Sequence, residues 1–245
     1  SQDPNIQNIP IKTDLGRAIR NAFVAEKEFR LVAIDYSQIE LRVAAILSQD
    51  EKLIDIFKSG GDVHSATASF VFGVPPNQVD HEMRRKAKVI NFGILYGMGV
   101  NALKVNLGTS REEAQQFLAS YFNTFTTLAG YLDKVKAEAA RKGYTETLFG
   151  RKRYFEGLKS SLPFVRAAAE RMAINAPIQG TATADIIKLA MVKIDDYIQK
   201  EKLEKEVRML LQVHDELVFE IKENKIKEVV PHIKKIMESI LSKEQ

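Results

Sequence analysis

The residues best placed to do chemistry are carboxylates at the ends of apolar runs. Asp35 closes Phe29–Asp35, a short apolar run with β-branched members that reads as a buried strand. A carboxylate there is costly unless water, a hydrogen bond or a metal ion meets it. Asp215 and Glu216 occupy a similar place, because His214-Asp215-Glu216 separates the strand-like runs Val207–Val213 and Leu217–Ile221 and reads as a hairpin. If the three strands share a sheet, the carboxylates converge at one edge. Two or three such groups suit hard divalent cations such as Mg²⁺, which keep waters and take phosphate oxygens as further ligands. Two ions roughly 3.5–4 Å apart can activate an attacking oxygen and stabilise a leaving one in phosphoryl transfer. Taken singly, each acid also fits a turn or a cap.

A second constellation is sharper. Arg84, Lys88, Phe92 and Tyr96 follow one another at steps of four. On a helix such residues lie nearly above one another, about 6 Å apart along the axis. The stripe runs from two cations to two aromatics, the order in which a nucleoside triphosphate presents phosphates and then a stackable base. Cations in the first half of a helix gain nothing from its dipole, so an external anion would explain them. Gly93 beside Phe92 removes bulk that could admit a base or sugar. A solvated basic face with a buried aromatic end fits the same spacing.

A third group is basic. Gly150-Arg151-Lys152-Arg153-Tyr154 puts three cations in a turn, and Arg166 and Arg171 lie on the helix that follows. Asn175 and Gln179 flank Pro177. Guanidinium and ammonium groups would track phosphates, and amides suit minor-groove acceptors present on every base pair. His64 and His214 are too few and too far apart to suggest a zinc site.

The elements that must position these groups follow from periodicity and punctuation. Ser37 opens a helical pattern (Ile39, Val43, Ile46, Leu47) and stands to Glu40 as in a capping box. Further helices are expected at about 63–72, from Asn77 to the glycines at 97 and 99, at 110–122 and at 126–142. A turn-rich ribbon spans 143–155. Ser161-Leu162-Pro163 starts a helix that Pro177 ends, and others cover about 181–200 and 225–241. Strand, helical insertion, strand pair and helix make an α+β fold whose small sheet draws on both ends of the chain.

Composition bounds the partners. The 245 residues are 45% hydrophobic and 28% charged, without Cys, so disulfides and thiolate metal sites are excluded. No apolar run approaches a membrane span, and no membrane partner is expected. The net charge of +4 is modest but unevenly spread. Arg84 to Lys104 holds five cations and no carboxylate, and Arg141 to Arg166 holds seven against Glu146 and Glu156. Positive charge therefore concentrates mid-chain, as a phosphate-tracking surface needs. The opening Ser1-Gln2-Asp3-Pro4 reads like an internal cut.

Together these segments resemble bacterial and phage family A DNA polymerases, the DNA polymerase I group, along almost the whole chain. Asp35-Tyr36-Ser37-Gln38-Ile39-Glu40-Leu41-Arg42 is similar to that family's first catalytic motif. Arg84 to Gly97 (RRKAKVINFGILYG) is similar to its nucleotide-binding helix, and Val213-His214-Asp215-Glu216 to its third motif. The opening Asp3-Pro4-Asn5-Ile6-Gln7-Asn8-Ile9-Pro10 matches as well.

The resemblance implies a right-hand polymerase: a palm of 1–50 with 180–245, a mostly helical fingers insertion at 51–179, and the thumb absent. It implies template-directed transfer from dNTP to a primer 3′-hydroxyl with two Mg²⁺ ions, Mn²⁺ being able to substitute. Asp35 and Asp215 become metal ligands with the Tyr36 carbonyl, and Glu216 lies near the primer end. Arg84, Lys88 and His64 hold the triphosphate, and Lys88 can serve as acid to the leaving pyrophosphate. Phe92 packs on sugar and base, Tyr96 sits near the nascent pair, Gln38 joins the nucleotide site, and Glu40 is a steric gate against the ribose 2′-hydroxyl. Arg171, Asn175, Gln179, His214, Arg151, Arg153, Asn5 and Gln7 contact primer–template DNA. The setting is the cytoplasm of a bacterial or phage-infected cell, with organellar origin left open, and another chain could supply the missing thumb. The rival readings are a DNA- or nucleotide-binding fragment inactive without its thumb, a single-subunit RNA polymerase, against which Glu40 argues, and a metal-dependent nuclease.

Overall fold

The computed structural model of the chain describes residues 13–241 and has an α+β fold with a small antiparallel sheet. Asn5 and Gln7, with the opening segment Asp3–Pro10, lie outside the described residues. In chain order, α1 (Asp14–Arg20) and β1 (Phe29–Asp35) are followed by α2 (Ile39–Ser48), α3 (Glu51–Lys58), α4 (Val63–Phe72) and α5 (His81–Leu95). Then come α6 (Val100–Leu107), α7 (Arg111–Thr124), α8 (Thr126–Lys142) and the ribbon β2 (Tyr144–Glu146) and β3 (Lys152–Tyr154). α9 (Pro163–Gln179), α10 (Ile187–Lys200), the hairpin β4 (Val207–Val213) and β5 (Glu216–Lys222), and α11 (Ile226–Glu238) complete it. No helix among the described residues is long and apolar enough to cross a membrane.

These residues divide into two compact units. One holds the described residues up to Ser37 and from Ile186 onward; the other is Gln38–Asp185. The joints between these units fall at 37/38 and 185/186. α2 lies against α3, α5, α8 and α9, all in the helical unit.

In the first unit the sheet order is β1-β5-β4, with β5 central and every pairing antiparallel. Leu217, Phe219 and Ile221 alternate along β5 and are fully buried, as the period of a strand with one core face requires. Val229 and Ile233 of α11 and Ile187, Ala190 and Ile194 of α10 are equally inaccessible and recur at helical spacing. Two residues, His214 and Asp215, make the β4–β5 turn, and His214 adopts a left-handed φ of 55°. That conformation twists a tight hairpin in the sense the strands need.

The second unit is helical apart from its ribbon. Asp50 is 3% exposed and carries two duties there: one carboxylate oxygen accepts from Leu53 N at 3.2 Å, capping α3, and the other accepts from Leu128 N at 3.1 Å. The unexpected α3 and α6 are eight residues each, too short for periodicity to announce them. The helix expected from Asn77 starts at His81 behind the N-cap Asp80, after a short 3-10 turn at Pro76–Gln78. The Ser37–Glu40 capping box is not the start of α2, because Gln38 is the N-cap, left-handed at φ 57° and without a side-chain cap bond.

Pro177 does not end α9. The helix runs two residues further and passes through a π-helical turn, Gly180–Ile186, into α10. Proline costs a helix one N–H and a clash with the preceding turn, and here hydroxyls take over nearby carbonyls. Thr181 Oγ1 donates to the Pro177 carbonyl at 2.6 Å, and Thr183 Oγ1 to that of Gln179 at 2.9 Å. Gly97 is sterically constrained: it has φ +67°, and a Cβ there would lie 3.1 Å from the Arg171 Cα. Gly97→Ala should therefore cost about 2 kcal/mol of stability, most of it backbone strain. A chemical-denaturation midpoint matching that of the parent would contradict this.

Candidate active site

Each unit holds one of the two constellations. In the first, the β1–β5 register sets Asp35 directly opposite Glu216. Beyond that last pair the Tyr36 N–H donates to the Asp215 carbonyl at 3.1 Å, so the two aspartates occupy adjoining positions at the same end of the sheet. The Tyr36 hydroxyl donates to the Met237 carbonyl at 2.8 Å, which ties the residue after Asp35 to α11. Asp35 is exposed and Asp215 half-buried, and neither carboxylate has a protein partner among the described residues. No group of three or more acidic, histidine or cysteine side chains able to enclose an ion occurs among the described residues. Two carboxylates open to water fit a hydrated hard cation, which draws its other ligands from water and phosphate, and would not fit a closed structural site.

In the helical unit Arg84, Lys88, Phe92 and Tyr96 do form one stripe along α5 and its C-cap. Arg84 is held by a residue the sequence reading did not single out. Its Nε and Nη2 donate to the two oxygens of Asp62 at 2.7 and 3.2 Å. Asp62 also caps α4, accepting from His64 N and Ser65 N, a role that an aspartate before an apolar helical run could have signalled. Burial opposes its charge, yet the hydrogen bonds from Arg84 and Ser65 outweigh burial and hold the carboxyl far below its usual range. Lys88 is exposed on the same face.

His64 lies 2% exposed beside this pair, its ring centroid 5.7 Å from that of Phe92. Burial, and then the positive charges of Arg84 and Lys88, push its pKa down to about 4 against the pull of Asp62. At neutral pH the ring is therefore uncharged. Asn91 Nδ2 sits 3.0 Å from His64 Nδ1, and Thr67 Oγ1 donates to Asn91 Oδ1 at 3.2 Å.

The aromatic half of the stripe is ordered too. Phe92 and Tyr96 stack at 6.5 Å with 19° between planes, and the Tyr96 hydroxyl donates to Glu40 Oε2 at 2.8 Å. Gly93 needs correcting. It is buried, and a Cβ on it would lie 3.1 Å from Met98 Sδ, so its missing side chain makes room for Met98 rather than for a base or sugar.

Of the basic group, Arg151 and Arg153 line a groove of about 250 Å³ together with Gln179, Thr145, Thr147 and Thr183, among others. Arg151 is anchored, its Nε donating to Asp185 Oδ1 at 2.7 Å, and Asp185 is 5% exposed. The Arg153 guanidinium lies over the Phe155 ring, 5.3 Å from its centroid, within the reach of a cation–π pair. Gln179 is exposed, as is Arg171 where it packs against Gly97. Asn175 stands apart from that groove, with its Oδ1 buried and unpartnered among the described residues. Gln38 sits at the start of α2, and His214 is exposed on the hairpin turn of the other unit.

Comparison with known proteins gives one consistent result. The model of the family described as DNA polymerase family A matches residues 1–244. The chain is 52% identical over 240 residues to the thermostable DNA polymerase I of Thermus aquaticus, covering 98% of this chain and 28% of that protein. It is 49% identical to DNA polymerase I of Pseudomonas aeruginosa, covering 97% of this chain and 26% of that one. The POL domain of Pol1 from M. smegmatis, solved in complex with DNA primer-template and dNTP, superposes with a TM-score of 0.92 at 45% identity. That match covers 98% of this chain and 42% of the other. The chain thus spans about a quarter of the length of these curated relatives.

Proposed function

Because the chain belongs to the family A DNA polymerases, we propose that it carries the nucleotidyl-transfer centre of a template-directed DNA polymerase, with 1–50 and 180–245 as palm and 51–179 as fingers. The reaction is attack of a primer 3′-hydroxyl on the α-phosphate of a template-selected dNTP, with release of pyrophosphate. The observation that carries this reading is the sheet register, which sets Asp35 opposite Glu216 and brings Asp215 beside the residue after Asp35. Asp35 and Asp215, with the Tyr36 carbonyl, are the residues to hold two Mg²⁺ ions, or Mn²⁺ in their place. When bound, such ions polarise the phosphate and lower the pKa of the attacking hydroxyl.

The residues of the helical unit bind and orient. Arg84, braced by Asp62, and Lys88 neutralise the triphosphate, and His64 adds a hydrogen bond to it. Lys88 is also the group able to protonate the departing pyrophosphate. Phe92 packs on the sugar and base, with Gln38 and Tyr96 nearby. Arg171, Asn175, Gln179, His214, Arg151 and Arg153 contact primer–template DNA, and Asn5 and Gln7 extend that set. The M. smegmatis POL domain, similar to this chain and solved with primer-template and dNTP, supports both partners. The protein thereby supplies positioning and charge stabilisation more than covalent chemistry. Single-nucleotide primer extension in Mg²⁺ tests the reading. Template-dependent addition of one nucleotide supports it, and DNA binding with no addition under any metal counts against it.

Glu40 supplies the sugar selection. Its carboxylate is fixed by Tyr96 at 2.8 Å rather than left to rotate, so it can fill a set volume beside the sugar. Glu40→Ala should relax discrimination against ribonucleotides by about 10- to 100-fold, the scale on which a pocket sorts substrates by size. Parallel incorporation of matched dNTP and rNTP measures it, and an unchanged ratio removes Glu40 from this role.

A further inference from the structure

Behind His64 the helical unit contains two buried polar residues, Thr67 and Asn91, with no part in the reaction as described so far. Thr67 and Asn91 are both 0% exposed, and His64 is 2% exposed. None of the three would be placed in a helical core without satisfied hydrogen bonds. Thr67 Oγ1 gives its hydrogen to Asn91 Oδ1 at 3.2 Å, and Asn91 Nδ2 faces His64 Nδ1 at 3.0 Å. With the amide oxygen so occupied, the amide presents an N–H to the ring, and Nδ1 must accept. A neutral imidazole that accepts at Nδ1 carries its proton on Nε2.

We propose that Thr67 and Asn91 are positioning residues that lock His64 in its Nε2–H tautomer, so that the ring offers a neutral donor to the triphosphate beside the cations Arg84 and Lys88. This rests on the reading that His64 meets the phosphates. The tautomer matters because the opposite one would turn a nitrogen lone pair toward phosphate oxygens and repel them. The neighbours of the ring agree with a neutral donor. Burial disfavours a charged ring, Arg84 and Lys88 on α5 add to it against the pull of Asp62 at the start of α4, and Phe92 lies beside the ring. The sequence gives no hint of the arrangement, since Thr67 and Asn91 are 24 positions apart and meet only because α4 lies against α5.

The chain has four histidines, so ring ¹⁵N resonances can be assigned one by one. Two-bond ¹H–¹⁵N correlation spectra of the whole chain should show His64 protonated on Nε2 at neutral pH. Thr67→Val keeps the volume and removes the first donor. It should allow the amide to turn, mix the two tautomers, and weaken binding of inorganic triphosphate in Mg²⁺ by roughly twofold, since about half of the rings then carry the competent tautomer. His64→Ala should weaken the same binding by about tenfold. A native His64 protonated on Nδ1 overturns the inference without need of any variant. So does a Thr67→Val protein with scrambled tautomers and parental triphosphate affinity, provided His64→Ala does lose affinity. If His64→Ala also binds triphosphate normally, the phosphate reading beneath the inference fails and takes the inference with it.

Discussion

Asp35→Ala and Asp215→Ala should each lower single-nucleotide addition by at least about 10³-fold, while DNA and nucleotide binding change far less. A hard divalent ion gains its hold from anionic oxygens, and only two side-chain carboxylates are proposed to supply them. Removing either leaves a single carboxylate, one carbonyl and water. Several kcal/mol of charge stabilisation at the reacting phosphate would be lost, and about 1.4 kcal/mol corresponds to each factor of ten. Neither side chain has a protein partner among the described residues, so neither substitution breaks an ion pair or hydrogen bond among them. Thermal unfolding should accordingly stay near the parental temperature, which separates lost chemistry from lost structure. Glu216→Ala is the internal comparison: its residue pairs with Asp35 across the sheet but is not among the proposed ion ligands, so its loss should be smaller. If Asp35→Ala or Asp215→Ala extends a primer at the parental rate, the two-metal reading does not survive.

Acid should destabilise the helical unit in two stages. His64 has its pKa depressed from 6.5 to about 4, chiefly by burial. Below pH 6.5 the unfolded chain takes up a proton that the folded chain refuses, so folding stability falls as pH drops and the loss levels off near pH 4. The full difference is roughly 3 kcal/mol, since one pKa unit is worth about 1.4 kcal/mol. Above pH 6.5 this group contributes no slope. Asp62 adds the second stage. Its folded pKa lies below that of the free carboxyl, so its contribution is complete above the usual carboxylate range and is lost as pH falls further. The chain has no Trp, so urea titrations followed by circular dichroism at several pH values are the suitable measurement. His64→Gln should flatten the slope between pH 6.5 and 4 and leave the more acid stage. Equal slopes in parent and variant would show that His64 is not the group responsible.

Much of this was written in residue type and spacing alone. β1 and α4 lie where apolar runs and punctuation put them, because a short apolar run and a helix bounded by Asp62 and Gly73 are local matters, but the run reads as a buried strand and only Ile34 of β1 is buried. The α5 stripe is equally local: steps of four bring residues to one helical face whatever surrounds it. Even the convergence of the acids could be anticipated, given two apolar runs with carboxylates at their ends. The sequence reading failed where a neighbour changed the local rule. Pro177 is an end signal in isolation, but the helix runs two residues past it and on through a π turn into the next. Gly93 suggests an opening for a ligand, and Met98 fills it.

Other features belong to tertiary structure from the outset. The register that faces Asp35 with Glu216 depends on which strands pair and with what offset, and a slip of one residue would turn every side chain to the other face. Asp62 meets Arg84 across 22 positions, and Tyr96 meets Glu40 across 56. Thr67, Asn91 and His64 become a hydrogen-bonded chain only when α4 packs on α5. Periodicity reports what lies on one element's face, whereas these contacts depend on packing between elements, and no spacing within a single element encodes that.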